Sequence, residues 1–220
     1  MAQKLSVDLH VHTSRSKDSR ASPESVVSKA ITLGLDAIAV TDHNTVQGSL
    51  DAEKAASGTS LLVIPGQEVE TGQGEIVVLN LRETLPPGRP LKETLSLARK
   101  KGGFIIIPHP FDLMRKGIGQ SMAGILESID AVEVFNARTI FGRFNSRAME
   151  FAERHSLPKT AGSDSHFLSE MGRSYTTVRS AKAAEQILDA IKSGKTELVM
   201  RRQTRASRLR RGLLKIRTYF

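Results

Sequence analysis

Short apolar runs recur along this chain, and each gives way at once to polar residues. They are Val7-Asp8-Leu9-His10-Val11, Ala37-Ile38-Ala39-Val40, Leu61-Leu62-Val63-Ile64, Phe104-Ile105-Ile106-Ile107 and Ala131-Val132-Glu133-Val134-Phe135. Runs of four or five such residues are what strands buried on both faces of a parallel sheet look like. Parallel neighbours need a crossover connection, usually a helix, and helical patterns are expected over 22–34, 46–56, 90–99, 121–128, 144–155 and 183–191. The first opens on Ser22-Pro23-Glu24, an N-cap followed by proline at the first helical position, and Gly34 ends it. A strand over 75–79 reads as a hairpin partner, and further strands are expected at 158–162, 175–178 and 197–200. Strand-then-helix units of this length predict right-handed crossovers, in either a barrel or an open doubly wound sheet.

The chain has 220 residues and is 39% hydrophobic, enough for one full core. One domain is expected over residues 1–200, followed by a basic tail, 201–220. There is no cysteine, so any metal must rest on His, Asp, Glu and Asn, which favours hard or borderline ions such as manganese, zinc, iron or magnesium. The formal charge of +9 is concentrated in the tail: eight of the 32 basic residues lie from Arg201 onward, where there is no acid, leaving 24 basic against 23 acidic groups before it. Such a tail can grip a nucleic acid or an acidic surface, with Leu209, Leu213, Leu214 and Ile216 on one stripe of a helix. It reads equally as an amphipathic helix packed on the body. No apolar signal region or membrane-length run is present, so a cytoplasmic protein is expected.

His10 and His12 are two residues apart in the first run, so in a strand they point the same way and can grip one ion. The device recurs at the later strand ends: Asp18, His43, Glu68, His109, Asp164 and His166, with Asn136 as a weaker ninth member. In a parallel barrel those ends converge on one face, the face on which active sites are built. Eight His and carboxylate groups exceed the four to six ligands that one ion takes, so two or three divalent ions are expected, with Glu68 as the bridging carboxylate. Asp42 reads as a partner that orients a ligand, and His155 as an ordinary residue at a helix C-terminus. Ending the chain at Met200 would remove none of these groups.

The motifs Asp8-Leu9-His10-Val11-His12-Thr13 with Asp18, Thr41-Asp42-His43, Gly66-Gln67-Glu68, Pro108-His109-Pro110 and Ser163-Asp164-Ser165-His166 resemble, in order, those of the PHP (polymerase and histidinol phosphatase) family. The resemblance spans residues 7–175. It implies a distorted (βα)7 TIM-like barrel, a trinuclear metal centre and hydrolysis of phosphate esters, with manganese, zinc or iron as the ions. By the same resemblance, His10, His12, Glu68 and Asp164 would hold one metal, Asp18, His43 and His166 a second, and Glu68 with His109 a third. Glu68, Asp164 and His166 are then the expected catalytic residues. Asn136 stands where trinuclear members place a histidine, so the third ion would be held less firmly. Glu133-Val134-Phe135-Asn136-Ala137-Arg138 is similar to the small phosphoesterases of the family that act on nucleotides.

Phosphoryl transfer needs its oxygens held, and Arg138, Arg173 and Arg15 are the expected phosphate-binding residues, because a guanidinium forms two parallel bonds to a phosphate. A water activated between the metals is the expected nucleophile. The expected substrate is a small phosphomonoester or nucleotide. A nucleic-acid processing enzyme and a metal-binding domain without turnover are the alternatives.

Overall fold

Ala37–Val40 and Phe104–Ile107 are buried at every position, as strands covered on both faces must be. The computed structural model describes residues 2–203. Its strands are β1 (Gln3–Val11), β2 (Ala37–Val40), β3 (Leu62–Thr71), β4 (Gly74–Leu79), β5 (Phe104–Ile107), β6 (Ala131–Asn136), β7 (Lys159–Gly162), β8 (Ser174–Ser180) and β9 (Thr196–Met200). They form one sheet in the order β7-β6-β5-β4-β3-β2-β1-β8-β9. Val11 pairs in parallel with Ser165 just beyond β7, and the His12 N–H donates to the Ser165 carbonyl at 2.9 Å. The first seven strands thereby curl into a nearly closed barrel, the expected fold class.

Two features depart from seven regular βα units. β4 runs antiparallel to both neighbours, because a tight turn and not a helix joins it to β3. Among the described residues there are five α-helices: α1 (Pro23–Thr32), α2 (Gln47–Ala56), α3 (Leu91–Lys100), α4 (Gly142–Arg154) and α5 (Ala184–Lys192). The helix expected over 121–128 is instead two 3-10 turns, Gly119–Gly124 and Leu126–Ser128. α1 begins as expected, with the Ser22 hydroxyl accepting from the Ser25 N–H at 3.2 Å and Pro23 in the first turn.

Outside the barrel, Val26, Val27 and Ala30 of α1 and Ala52 and Ala56 of α2 pack on Ile38, Val40 and Val63. Leu91, Leu95 and Ala98 of α3 and Ala148 and Ala152 of α4 pack on Ile105, Ile107, Val132 and Val134. Inside, Leu5, Val7, Ala37, Ile64, Val77, Phe104, Ile106 and Ala131 form a separate cluster with Ile187, Leu188 and Ile191 of α5. α5 follows Ser180, which pairs with Gln3 at the start of β1, so this apolar filling lies at the N-terminal end of the barrel strands.

Irregularities in two strands turn polar side chains inward above that filling. Between Asp8 and Val11, β1 spends one residue more than its partner, and between Glu133 and Phe135 so does β6. An extra residue swaps which face the following side chains occupy. In β1 the inner face passes from Leu5 and Val7 to His10 and His12. In β6 it passes from Ala131 and Glu133 to Asn136.

β8 lies antiparallel against the first half of β1, and the Thr176 hydroxyl ties it to β7 by accepting from the Ala161 N–H (2.9 Å) and donating to the Ala161 carbonyl (3.1 Å). β9 is antiparallel to β8, so Met200 emerges at the polar end of the barrel. Arg201, Arg202 and Gln203 follow, and Gln203 is buried, with its N–H donating to the Ala137 carbonyl at 2.9 Å. Packing therefore continues three residues into the expected tail. The amphipathic helix expected there falls on residues 204–220, outside the described residues.

Candidate metal centre

Glu68 sits at the middle of the polar end. β3 continues past Pro65, its last pairing with β2, and the Glu68 N–H donates to the Asp42 carbonyl at 3.2 Å while the Asn44 N–H donates to the Glu68 carbonyl at 2.7 Å. Its carboxylate faces four imidazoles: Oε1 lies 3.1 Å from His109 Nε2 and 3.5 Å from His10 Nε2, and Oε2 lies 3.0 Å from His43 Nδ1 and 3.5 Å from His12 Nε2. A carboxylate so placed could be shared by two ions, were they held there.

Around it, ligand atoms converge in four groups, each within 4.8 Å: His10, His12 and Asp164; His12, His43 and His166; His10, Glu68 and His109; and His43, Glu68 and Glu75. Asp18 closes the second group at the mouth, its carboxylate 3.0 Å from His166 Nε2 and 3.6 Å from His43 Nε2. His109 and Asp164 occupy left-handed backbone, φ 30° and 48°. That conformation is uncommon outside glycine, and for His109 the flanking prolines restrict the alternatives.

Hydrogen bonding fixes the tautomers. Glu133 Oε1 can only accept, so at 3.1 Å it requires a proton on His10 Nδ1, and when the ring is neutral the lone pair is on Nε2. For His12 the relay is longer. The Ser16 hydroxyl gives its proton to Asp42 Oδ1 at 2.6 Å and so accepts at 3.1 Å from His12 Nδ1, again leaving Nε2 with its lone pair. His10 Nε2, His12 Nε2 and His109 Nδ1 are buried and have no hydrogen-bond partner among the described residues. The Nε2 atoms of His10 and His12 lie 3.5–3.8 Å from Glu68 and Asp164, and unpartnered buried imidazole nitrogens beside carboxylates are what a divalent ion would satisfy, so the donor set fits two or three such ions.

The charges tell the same story. Burial alone would lower the His10 pKa, but Asp164, Glu133 and Glu68 hold it well above its ordinary value. His43 is raised to about 9 against burial by Glu68 and Asp18. His12 is pushed down to about 3 by burial and by the neighbouring His166 and His43. Glu68 is held well below the usual carboxylate range, despite burial, by His10 and His43, whereas burial and the charge on Glu68 push Glu75 up to about 8.

Arg138 lies in the site, with Nη1 2.9 Å from His166 Nε2 and 3.4 Å from Asp164 Oδ1, and Nη2 3.5 Å from Asp18 Oδ2. The other two expected phosphate-binding arginines are not brought there. Arg15 is turned to the surface, where its Nη2 donates to Asp51 at 2.7 Å, and Arg173 makes no polar contact with the cluster. Asn136 reaches the cluster but not as a free ligand. Its amide oxygen already accepts from the Arg138 N–H (3.0 Å) and Arg115 Nη2 (3.1 Å), and its Nδ2 donates to Glu133 (2.8 Å) and Asp164 (3.1 Å). It is a cross-link between strands.

Sequence reasoning missed Glu133, Glu75, Ser16 and Arg115. Arg115 pairs with Asp164 and is held by Asp112 (3.0 Å) and the Thr139 hydroxyl (2.7 Å). For Glu133 a signal was present, a lone carboxylate inside an otherwise apolar strand. Asp42, expected to orient a ligand, accepts from the Ser16 hydroxyl that contacts His12, and the His155 ring lies tilted against Phe151 at the end of α4.

Comparison with known proteins agrees with this geometry. The chain matches the PHP domain over residues 8–117 and the PHP-associated region over 142–196. The chain belongs to the PHP family. An uncharacterised protein of Methanocaldococcus jannaschii is 33% identical over 155 residues, 66% of this chain and 90% of that one. A two-domain protein of Bacteroides vulgatus, carrying a PHP-like domain predicted to be a metal-dependent phosphoesterase, superposes with a TM-score of 0.78 at 20% identity, over 91% of this chain and 66% of that one. A 5'-3' exoribonuclease of Haemophilus influenzae is 36% identical over 98 residues, 43% of this chain and 35% of the exoribonuclease.

Proposed function

We propose that this PHP-family chain is a metal-dependent phosphoesterase acting on nucleotides or on the ends of single-stranded nucleic acid. The observation that carries the hydrolytic part is Glu68 facing four histidines, within overlapping ligand groups that also take in Asp164. His10, His12, His43, Glu68, His109, Asp164 and His166 would hold divalent ions, which would supply acidification of a water and positive charge against the phosphoryl oxygens. Manganese, zinc and iron suit the imidazole and carboxylate donors.

The chain's own contribution is positional. Glu133 and the Ser16–Asp42 pair set the imidazoles of His10 and His12. Arg138 presents a mostly buried guanidinium beside Asp164 and His166, where it can bind a phosphoryl oxygen, and the Asp112–Thr139 clamp fixes Arg115 on the opposite oxygen of Asp164. The nucleotide part is supported by the likeness to an exoribonuclease. No helix among the described residues is long and apolar enough to cross a membrane, which fits the cytoplasmic location we propose.

The test is a turnover screen of metal-reconstituted protein over phosphomonoesters, mononucleotides and short oligonucleotides, beside Glu68→Gln. Wild-type turnover with metal content and rate falling together in the variant supports the reading. A fully active variant with normal metal content refutes the assignment of Glu68.

A further inference from the structure

Seven large apolar residues are exposed among the described residues, and four of them lie in two loops beside the metal centre: Leu113 (79% exposed), Met114 (65%), Ile140 and Phe141 (47% each). Apolar side chains gathered at one place on a surface mark a binding site far more often than single ones do. The polar residues next to them in sequence join the loops. Leu113 and Met114 lie between Asp112 and Arg115, and Ile140 and Phe141 follow Thr139. Thr139 donates to Asp112 at 3.1 Å and accepts from Arg115 at 2.7 Å. Arg138, three residues before Phe141, already touches Asp164 and His166. The Cα of Phe141 is therefore at most about 11 Å from that of Arg138.

Two arginines lie close by. The Arg143 guanidinium carbon lies 5.3 Å from the Phe141 ring centre and 5.2 Å from that of Phe144. Arg202 rests against Gly142, where an added Cβ would overlap its guanidinium. Phe144 is buried and meets Phe141 edge-on at 6.0 Å, which steadies the exposed ring. A half-exposed aromatic ring with one guanidinium over it, a second against the next residue and a phosphate-binding arginine three residues away, is complementary to a base joined to phosphates.

We infer that Phe141, with Arg143 over its ring and Arg202 against the neighbouring Gly142, is the platform on which the base next to the scissile phosphate of a single-stranded nucleic acid stacks. This rests on the phosphoesterase reading and adds the residue that makes the enzyme prefer a nucleobase. Stacking is tolerant of sequence because every base has a π-face, so the platform selects for a base without choosing among bases.

The test compares a fluorescently labelled five-nucleotide single strand with a base-free strand of the same length and charge, read by anisotropy and by turnover on full-length, metal-loaded protein. Wild type is expected to bind the base-containing strand about tenfold more tightly. In Phe141→Ala that ratio collapses towards one, and Phe141→Trp restores it. Equal affinity of wild type for both strands overturns the platform, as does an unchanged ratio in Phe141→Ala. A change of oligomeric state in Phe141→Ala assigns the patch to contact between copies and also overturns it. Base-dependent binding without turnover of either strand supports the platform while refuting hydrolysis, so the two failures are told apart.

Discussion

Glu133 shows how much of the centre is carried by residues that would touch no metal. Its carboxylate fixes the tautomer of His10, accepts from the His109 N–H at 3.0 Å and accepts from Asn136 at 2.8 Å, so one side chain aligns two ligands and a cross-link. Glu133→Gln keeps the shape but turns half of the group into a donor. Metal affinity is expected to fall about 10–100-fold with the fold retained, as is usual when the partner of a ligating imidazole is lost. Calorimetric metal titration beside a melting curve checks it, and unchanged affinity would reduce Glu133 to packing. A second expectation follows from charge. In the metal-free protein His43, with its pKa raised to about 9, and His10, raised well above the ordinary value, hold protons at pH 7. A raised pKa means that the proton stays on until the pH passes that value, so an arriving cation must displace it. Zinc added in weakly buffered solution at pH 7 should release protons, fewer should appear at pH 9.5, and affinity should climb between the two. Binding without proton release at pH 7 would contradict the assignment of these imidazoles.

At the scale of elements, the extra residue in β1 decides which face His10 and His12 occupy, and the one in β6 decides that of Asn136. The period-two pattern made it legible that His10 and His12 point together, and the abrupt ends of the apolar runs made the converging strand ends legible. It did not reveal the irregularities, because Leu9 and Phe135 are apolar residues that suit either face. The hairpin expected at 75–79 is present as β4, antiparallel to β3, and it was legible from the short connection rather than from burial, since six residues buried throughout look alike in a parallel and an antiparallel strand. Arg115 escaped notice for another reason, since its partners Asp112, Thr139 and Asp164 come from separate loops. Gly48 gives an element-scale prediction. Inside a helix, glycine costs about 1 kcal/mol relative to alanine, so Gly48→Ala ought to stabilise α2 if propensity ruled. Here an added Cβ would overlap the Asp42 carboxylate and lie 2.6 Å from the Thr13 hydroxyl, and Asp42 cannot yield because Thr13 and Ser16 hold both of its oxygens. Overpacking of this kind costs about 1–3 kcal/mol. Gly48→Ala is expected to lower stability by that amount in urea unfolding and to weaken metal binding through His12, whereas a stabilised variant would show that α2 can shift away.

For the molecule as a whole, the first strand and the last described residues meet at the candidate metal centre. β1 brings the first histidines there, and β9 returns the last described residues to the same face, where Gln203 is anchored. Its N–H donates to the Ala137 carbonyl, and its side chain donates to the carbonyls of Glu170 (3.1 Å) and Ser163 (3.5 Å). Those carbonyls belong to the segments that present Arg138, Asp164 and His166, and the His166 N–H in turn donates to the Glu170 carboxylate at 3.1 Å. One glutamine thus pins three segments of the site, which moves the safe point of truncation from Met200 to Gln203. A chain ending at Gln203 loses six of the basic residues, Arg205, Arg208, Arg210, Arg211, Lys215 and Arg217, but none of the anchor. Its turnover of a small phosphomonoester is expected to stay near wild type, while its affinity for a long single strand falls and loses part of its salt dependence. A chain ending at Met200 loses the anchor as well. Small displacements of groups around a reacting centre are costly, so its kcat on the same phosphomonoester should drop about tenfold or more, and Gln203→Ala in the full chain should reproduce much of that loss. Equal kcat for the two truncations would show that Gln203 is a passenger at the rim and that the loops bearing Arg138 and Asp164 hold their positions without it.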